Sequence, residues 1–412
     1  MPGPVLHALA PPHAALVILL AALATVCATT SALAASTLKL VDYHGYQVAV
    51  PRGWPVFDLA KDPSVCVRFD RHAVYLGRPA ENQRCPAHAA GRTEAILLQP
   101  FGGHAADAGA AGTASLPSGR SETLLSRAHG VLITATWDRS PALIRRALRL
   151  RSLRMLTATA GVRSAAPRAS ARIAAVSASP GAVYTGLGFD ACSTPSASQM
   201  SAWGSSPYHA VGVYIGGLNM ACAQPNLSPG WISGESAAGW HVIPIYVGRQ
   251  APSNSCGCAA IARTSASSEG SAAAVDAVNQ AEALGMGPGN PIYFDMEAYA
   301  RGAVNSPAVL AFLQSWTDQL HEYGYKSGVY SSDYSGISDL VSEWGTGYTE
   351  PDAIWIANWN SVKSTSDANV PAVDWANHQR LHQYAGGHDE THGRVTLNID
   401  GDYLDAATAA PG

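Results

Sequence analysis

The chain has 412 residues, with 26 Lys+Arg against 30 Asp+Glu, 47% apolar residues and only 14% charged, well below the roughly 25% charged of ordinary soluble domains. That profile excludes a disordered chain, a coiled coil and a polybasic nucleic-acid binder. The length suits one barrel of about 230 residues with a smaller companion, and charge separates the two: 19 Lys+Arg and 9 Asp+Glu lie up to Arg172, 7 and 21 beyond it, so a basic module precedes an acidic one.

Ala14 to Ala24 is an unbroken apolar run, and Ala32-Leu33-Ala34 supplies a small-x-small cleavage pattern. Residues 1–34 therefore read as a signal peptide, and the mature chain as secreted, extracellular or wall-associated, with no stable membrane anchor after cleavage. Loss of Cys27 with the signal leaves six cysteines, an even number that reads as disulfides in an oxidising compartment. Cys66 and Cys85 are the only pair in the first module and are expected to bond. Cys192, Cys222, Cys256 and Cys258 leave three pairings open.

Residues 35–156 alternate apolar and polar in short runs: Leu38–Tyr43, Tyr46–Val50, Val65–Phe69, Ala73–Leu76, Ala95–Leu98 and Val131–Trp137. His44-Gly45 marks a hairpin turn between the first two. Ser140-Pro141 opens an expected helix reaching about Leu156, ringed by Arg145, Arg146, Arg149, Arg151 and Arg154. This module reads as a small α+β domain whose positive charge suits anionic wall polymers. Residues 157–180, rich in Ala, Ser, Thr and Arg with two prolines, read as a flexible linker.

From residue 181 to 412 eight apolar runs follow: Tyr184–Phe189, Ala210–Ile215, His241–Val247, Pro291–Met296, Lys326–Tyr330, Ala353–Ala357, Leu381–Tyr384 and Asn398–Ile399. Helical patterns lie between several of them. In the clearest, Ser306 to Tyr323, Val309, Leu310, Leu313, Trp316 and Leu320 form one stripe and Gly324 stops the helix. The repeated alternation predicts an α/β fold, a (β/α)8 TIM barrel.

Barrel active sites lie at the carboxyl ends of the strands. The runs end in Asp190, in Tyr214-Ile215-Gly216-Gly217, in Tyr246-Val247, in Asp295-Met296-Glu297, in Tyr330, in Trp355-Ile356-Ala357-Asn358-Trp359, in Gln383-Tyr384 and in Asp400-Gly401-Asp402. Carboxylates bind sugar hydroxyls or do acid/base work, and aromatic faces stack on sugar rings. Asp295 and Glu297, two apart, share one side of an extended strand. Two acids in a partly dry site cannot both ionise freely, so their pKa values separate into an acid and a base. The acidic module offers few cations to neutralise them.

These motifs, in this order, resemble the strand motifs of family-25 glycoside hydrolases, the cell-wall lysozymes. Over about residues 181 to 404 the chain is still more similar to a bacterial glycoside-hydrolase-like family related to them, of undetermined activity. The resemblance implies Glu297 as the general acid and Asp295 as the residue orienting the substrate's N-acetyl group for attack on the anomeric carbon. Asp190 and Asp400 would hold sugar hydroxyls, with Tyr214, Tyr246, Tyr330, Trp355, Trp359, Gln383 and Tyr384 as further substrate contacts. Where the lysozymes carry an aromatic and histidine-bearing motif on the second strand, this chain has Tyr214-Ile215-Gly216-Gly217.

Gly285-x-Gly287-x-Gly289 precedes a strand, the wrong order for a dinucleotide site, and no Gly-x-Ser-x-Gly elbow occurs. His388-Asp389-Glu390-Thr391-His392 reads as a solvated loop. No cofactor and no metal are expected. The partner is a cell-wall or other polysaccharide, and the expected activity is glycoside hydrolysis; the alternative is a non-catalytic glycan-binding protein on the same scaffold.

Overall fold

The computed structural model describes residues 37–101, 120–148, 154–155 and 181–412; the expected signal peptide and linker lie outside them. No helix among the described residues is long and apolar enough to cross a membrane.

The first module opens on a hairpin, β1 (Leu38–Tyr43) and β2 (Tyr46–Pro51). Its turn residues His44 and Gly45 both hold positive φ, 53° and 79°, the backbone that a two-residue turn needs to match strand twist. Strands β3 (Val56–Asp58), β4 (Ala73–Leu76), β5 (Ala95–Pro100), β6 (Ser121–Ser126), β7 (Val131–Thr136) and β8 (Arg154–Met155) form one mixed sheet in the order β3-β4-β5-β7-β6-β8. Helix α1 (Ala142–Leu148) seals its apolar face with Ile144, Ala147 and Leu148. Two expectations are corrected here. The described helix ends at Leu148, and Arg154 lies in β8 beside Leu125, so the arginine-ringed helix to Leu156 does not form. Val65–Phe69 is no strand of this sheet, because its backbone bonds go to the other module: Phe69 N–H donates to Ala221 O at 2.8 Å and Ala223 N–H to Val67 O at 3.0 Å.

The second module is a closed eight-stranded barrel: β9 (Val183–Asp190), β10 (Tyr208–Gly216), β11 (His241–Tyr246), β12 (Pro291–Asp295), β13 (Lys326–Ser332), β14 (Ala353–Ala357), β15 (Gln379–His392) and β16 (Val395–Ala407). Helices α2 (Ala197–Trp203), α3 (Pro229–Ala237), α4 (Ala266–Ala283), α5 (Ser306–Glu322) and α6 (Gly336–Glu343) join the first six strands. Helix α5 buries Val309, Phe312, Leu313, Trp316 and Leu320 against the barrel wall.

A uniform (β/α)8 barrel is not what forms. β9 to β15 run parallel, but β16 is antiparallel to both β15 and β9. The chain turns straight back at Gly393-Arg394, both at positive φ, and a tight hairpin can join only antiparallel strands. His388–His392, expected as a loop, is the arm of that hairpin, where Tyr208 Oη donates to Glu390 at 2.7 Å.

The modules share a buried seam over the loop that follows β10. Leu59, Val67, Phe69, Tyr75 and Leu97 pack with Met220 and Ala223 in one apolar cluster. Arg92, 2% exposed, donates from Nε to Met220 O and from Nη2 to Gly217 O, each at 3.1 Å. Gly91 N–H donates to Asn219 O at 2.8 Å. Disulfides join Cys66 to Cys85, Cys192 to Cys222 and Cys256 to Cys258; the first two touch, with Cys66 Sγ 3.9 Å from Cys222 Sγ. This seam carries residues 81–92 across the mouth of the barrel.

Candidate active site

Side chains alternate in and out along each strand, and the inward ones at the strand ends converge. Asp190, Tyr214, Ile245, Asp295, Tyr330, Trp355 and Gln383 line one small pocket, a cavity of ≈10 Å³. Asp400 lies opposite Asp190 in the antiparallel ladder. Room for these acids depends on Gly212: a Cβ there would stand 2.6 Å from the Asp190 Cβ and 2.9 Å from Ile245 Cδ1.

Gln383 organises one wall. Its Oε1 accepts from Tyr330 Oη and from Trp359 Nε1, both at 2.9 Å, and its Nε2 donates to Asp190 Oδ2 at 3.0 Å. Trp355 Nε1 donates to Asp402 Oδ1 at 3.0 Å. Asp295, 2% exposed, has no hydrogen-bond partner on either carboxylate oxygen, and Asp400 Oδ1 and Asp402 Oδ2 are equally unmatched. Unpaired buried acids are costly as anions. Burial, with the charge of Glu297 added, pushes Asp295 up to about 8. Burial and neighbouring carboxylates likewise raise Asp190 and Asp402 well above the usual range, and burial lifts Asp400 to about 6.

Glu297 lies just past β12, its backbone fixed by a residue between β11 and α4. Gln250, fully buried, accepts from Glu297 N–H at 2.7 Å and donates to Asp295 O at 2.8 Å. The carboxylate itself meets His88 of the first module: Nε2 bonds to Glu297 Oε1, and Nδ1 lies 2.8 Å from Tyr214 Oη. Burial opposes the charged form of both partners. Their mutual attraction outweighs it, holding Glu297 below its ordinary value and His88, which also feels Asp295 and Asp400, well above its own. The pair Asp295–Glu297 thus holds one proton at neutral pH, on Asp295.

Six expected site residues, Asp190, Tyr214, Asp295, Tyr330, Trp355 and Gln383, share the pocket, with Glu297 and Asp400 at its rim. Two aromatics do not. Tyr246 points out of the barrel, because inward-facing Ile245 takes the odd phase; its hydroxyl donates to Asp276 on α4 at 2.7 Å and its ring stacks on Trp316. Tyr384, next to inward-facing Gln383, also faces outward, packed on Gly401 and under the Lys363 ammonium. Trp359 stands at the mouth, 66% exposed over Gly386. Tyr299, two residues beyond Glu297, turns away to donate to Asp339 at 2.7 Å. Sequence reasoning missed Gln250 and His88. Gln250 carries no local motif, and His88 reaches Glu297 across 209 residues.

His88, Asp295 and Glu297 each bring one ligand atom within 4.8 Å of the others, as do His88, Asp190 and Asp400. Ligands sharing a cation about 2.0–2.2 Å away stand roughly 3 Å or more apart. His88 and Glu297 bond directly instead, which favours a proton between them over an ion.

Residues 201–404 match the family model described as the Rv2525c-like glycoside hydrolase-like domain. No curated protein matches the chain. Among solved structures, an uncharacterized B. stearothermophilus protein is similar at 19% identity over 53% of this chain and 95% of its own, TM-score 0.38. The Mycobacterium tuberculosis Tat-secreted protein Rv2525c, in complex with L-tartrate, is similar at 16% identity over 55% of this chain and 99% of its own, TM-score 0.37. The modular autolysin LytC from Streptococcus pneumoniae, in complex with a synthetic peptidoglycan ligand, is similar at 11% over 53% and 46%, TM-score 0.36. The family match thus covers residues 201–404, most of the barrel, and makes that stretch similar to the Rv2525c-like glycoside hydrolase-like domain.

Proposed function

We propose that this protein is exported and hydrolyses glycosidic bonds in a cell-envelope polysaccharide of the peptidoglycan type, with Asp295 and Glu297 as its catalytic pair. The observation that carries the reading is this pair of adjacent, largely buried carboxylates, Asp295 without a hydrogen-bond partner and Glu297 held beside it by Gln250, an arrangement that lets one residue class supply both an acid and a base. Glu297, ionised beside His88 in the empty site, protonates the departing glycosidic oxygen after taking over the proton that Asp295 holds there. Asp295, as the carboxylate, orients the N-acetyl group whose carbonyl oxygen attacks the anomeric carbon, giving net retention. Asp190 and Asp400 hold hydroxyls, and the exposed face of Trp359 stacks on a neighbouring ring. Export is supported by the disulfides, which persist in oxidising compartments.

The test is release of new reducing ends from a panel of purified glycans, peptidoglycan included, by the wild-type chain and by Glu297→Gln over long incubation. Release by the wild type alone supports the reading. Equal release by both, or none by either, overturns it.

A further inference from the structure

The first module spends a histidine, a disulfide and a buried arginine on the mouth of a barrel whose own strands supply every other group in the pocket. We propose that His88 is a built-in occupant of the glycan site, a plug that the first module seats between Tyr214 and Glu297 and that a sugar must displace before it can reach the carboxylate pair. This rests on the reading of that pair as a glycan site.

Size argues first. With His88 in place the cavity between these side chains is only ≈10 Å³, far below the roughly 300–1,000 Å³ of ordinary ligand sites. The imidazole is bonded to the Glu297 carboxylate itself, and both its nitrogens already have partners in the site.

Charge argues next. Asp190, Asp295, Glu297 and Asp400 crowd one end of the barrel, and the cationic groups acting most strongly on them are His88 and, at Asp400 alone, His388. The imidazolium therefore does for Glu297 in the empty site what a sugar hydroxyl does in a filled one: it gives the carboxylate a donor, and its charge offsets the neighbouring acids.

The way the plug is held argues last. On its C-terminal side it is clamped by Gly91 and Arg92, and it directly follows Ala87, whose amide donates to Asn398 Oδ1 at 2.7 Å. On its N-terminal side, Glu81, Asn82 and Arg84 are exposed and border a cleft of ≈390 Å³, walled opposite by Ala191, Ser193–Pro195, Gln199 and Asp389. Two side-chain bonds tie this stretch to the barrel: Asn226 to Glu81 O at 2.8 Å and Ser196 to Asn82 Oδ1 at 2.7 Å. Cys85, bonded to Cys66, and Arg92 tether the segment on either side of His88, with open space beside residues 81–84, so displacing the plug is a movement of the imidazole and of the short loop between those tethers.

The test is binding of a soluble N-acetylglucosamine tetramer, by calorimetry, to the full mature chain as wild type, His88→Ala and Asn398→Ala, with reducing-end release from peptidoglycan measured in parallel. Asn398→Ala loosens the plug without touching the carboxylates, so it keeps the test alive if His88→Ala folds poorly, which thermal unfolding reports. The plug predicts tighter binding by at least tenfold for His88→Ala and a smaller gain for Asn398→Ala. Binding by both variants no better than by the wild type overturns it. Tighter binding without release by any form would keep the plug and discard the hydrolase; release that falls in His88→Ala without a gain in binding would do the reverse.

Discussion

Gln250 holds Glu297 by its backbone: the Glu297 N–H donates to Gln250 Oε1 at 2.7 Å, while Gln250 Nε2 donates to Asp295 O at 2.8 Å. One buried amide therefore fixes the spacing of the two carboxylates where β12 ends, together with the bond from Met296 N–H to Tyr330 O at 3.0 Å. Gln250→Leu keeps the bulk and removes both bonds, leaving a buried donor and acceptor unmatched at about 1–3 kcal/mol each. The expected outcome is a fall in kcat of about 10²-fold with KM little changed, because a misplacement near 1 Å costs about that much. Steady-state kinetics on a glycan that the wild type cleaves would check it; a change in KM alone would place Gln250 in binding instead.

Asp295→Asn should trade activity for stability. Asp295 is pushed up to about 8 in the fold, against 3.8 as its ordinary value. At pH 7 the folded state therefore keeps a proton that the unfolded state has lost, a cost that grows as pH rises from 3.8 towards 8 and vanishes below 3.8. The amide has no such cost. The variant should be inactive, melt several degrees higher at pH 7, and melt with the wild type near pH 3.5. Thermal unfolding across that range decides; an unchanged Tm at pH 7 would mean that Asp295 is already ionised there.

Gly328 on β13 has no room for a side chain, since a Cβ would stand 2.2 Å from the Tyr293 ring. Tyr293 fills the barrel floor beneath the pocket, edge-on to Trp355 and bonded to Ala407 O at 2.9 Å. Gly328→Ala must move that ring, and overpacking of this kind costs about 1–3 kcal/mol. Denaturant unfolding should show a lower midpoint with an unchanged slope.

Arg92 is the clamp between modules, and burial lowers it to about 9, still charged at pH 7. Arg92→Met removes two charge-assisted bonds to Gly217 O and Met220 O while keeping much of the apolar volume. The expected loss is about 2–4 kcal/mol, seen as a lower Tm and as faster proteolysis between residues 78 and 92. Unchanged proteolysis there would show that the apolar seam alone holds the modules together.

What the sequence disclosed followed from local rules. Asp190, Asp295, Tyr330, Trp355 and Gln383 were legible because a strand run ends at each, and barrel geometry sends such ends to one place. Tyr246 and Tyr384 went astray by a single residue: Ile245 and Gln383 take the inward phase, and a one-residue shift turns every side chain to the opposite face. The antiparallel β16 was hidden because a polar hairpin arm, His388–His392, carries no apolar alternation. His88 was beyond reach for a different reason. Its place is set by the Cys66–Cys85 bond, by Arg92 and by an interface between modules, none of which leaves a periodic trace near residue 88.

The central claim, that Asp295 and Glu297 cleave a glycan, is tested most directly with the plug removed. Reducing ends released from purified peptidoglycan would be counted for His88→Ala and for the double variant His88→Ala/Glu297→Gln, both confirmed as folded. The account expects steady release by the first and at least a 10²-fold loss in the second. Equal release from the two, or none from a His88→Ala chain that binds the tetramer tightly, would contradict it.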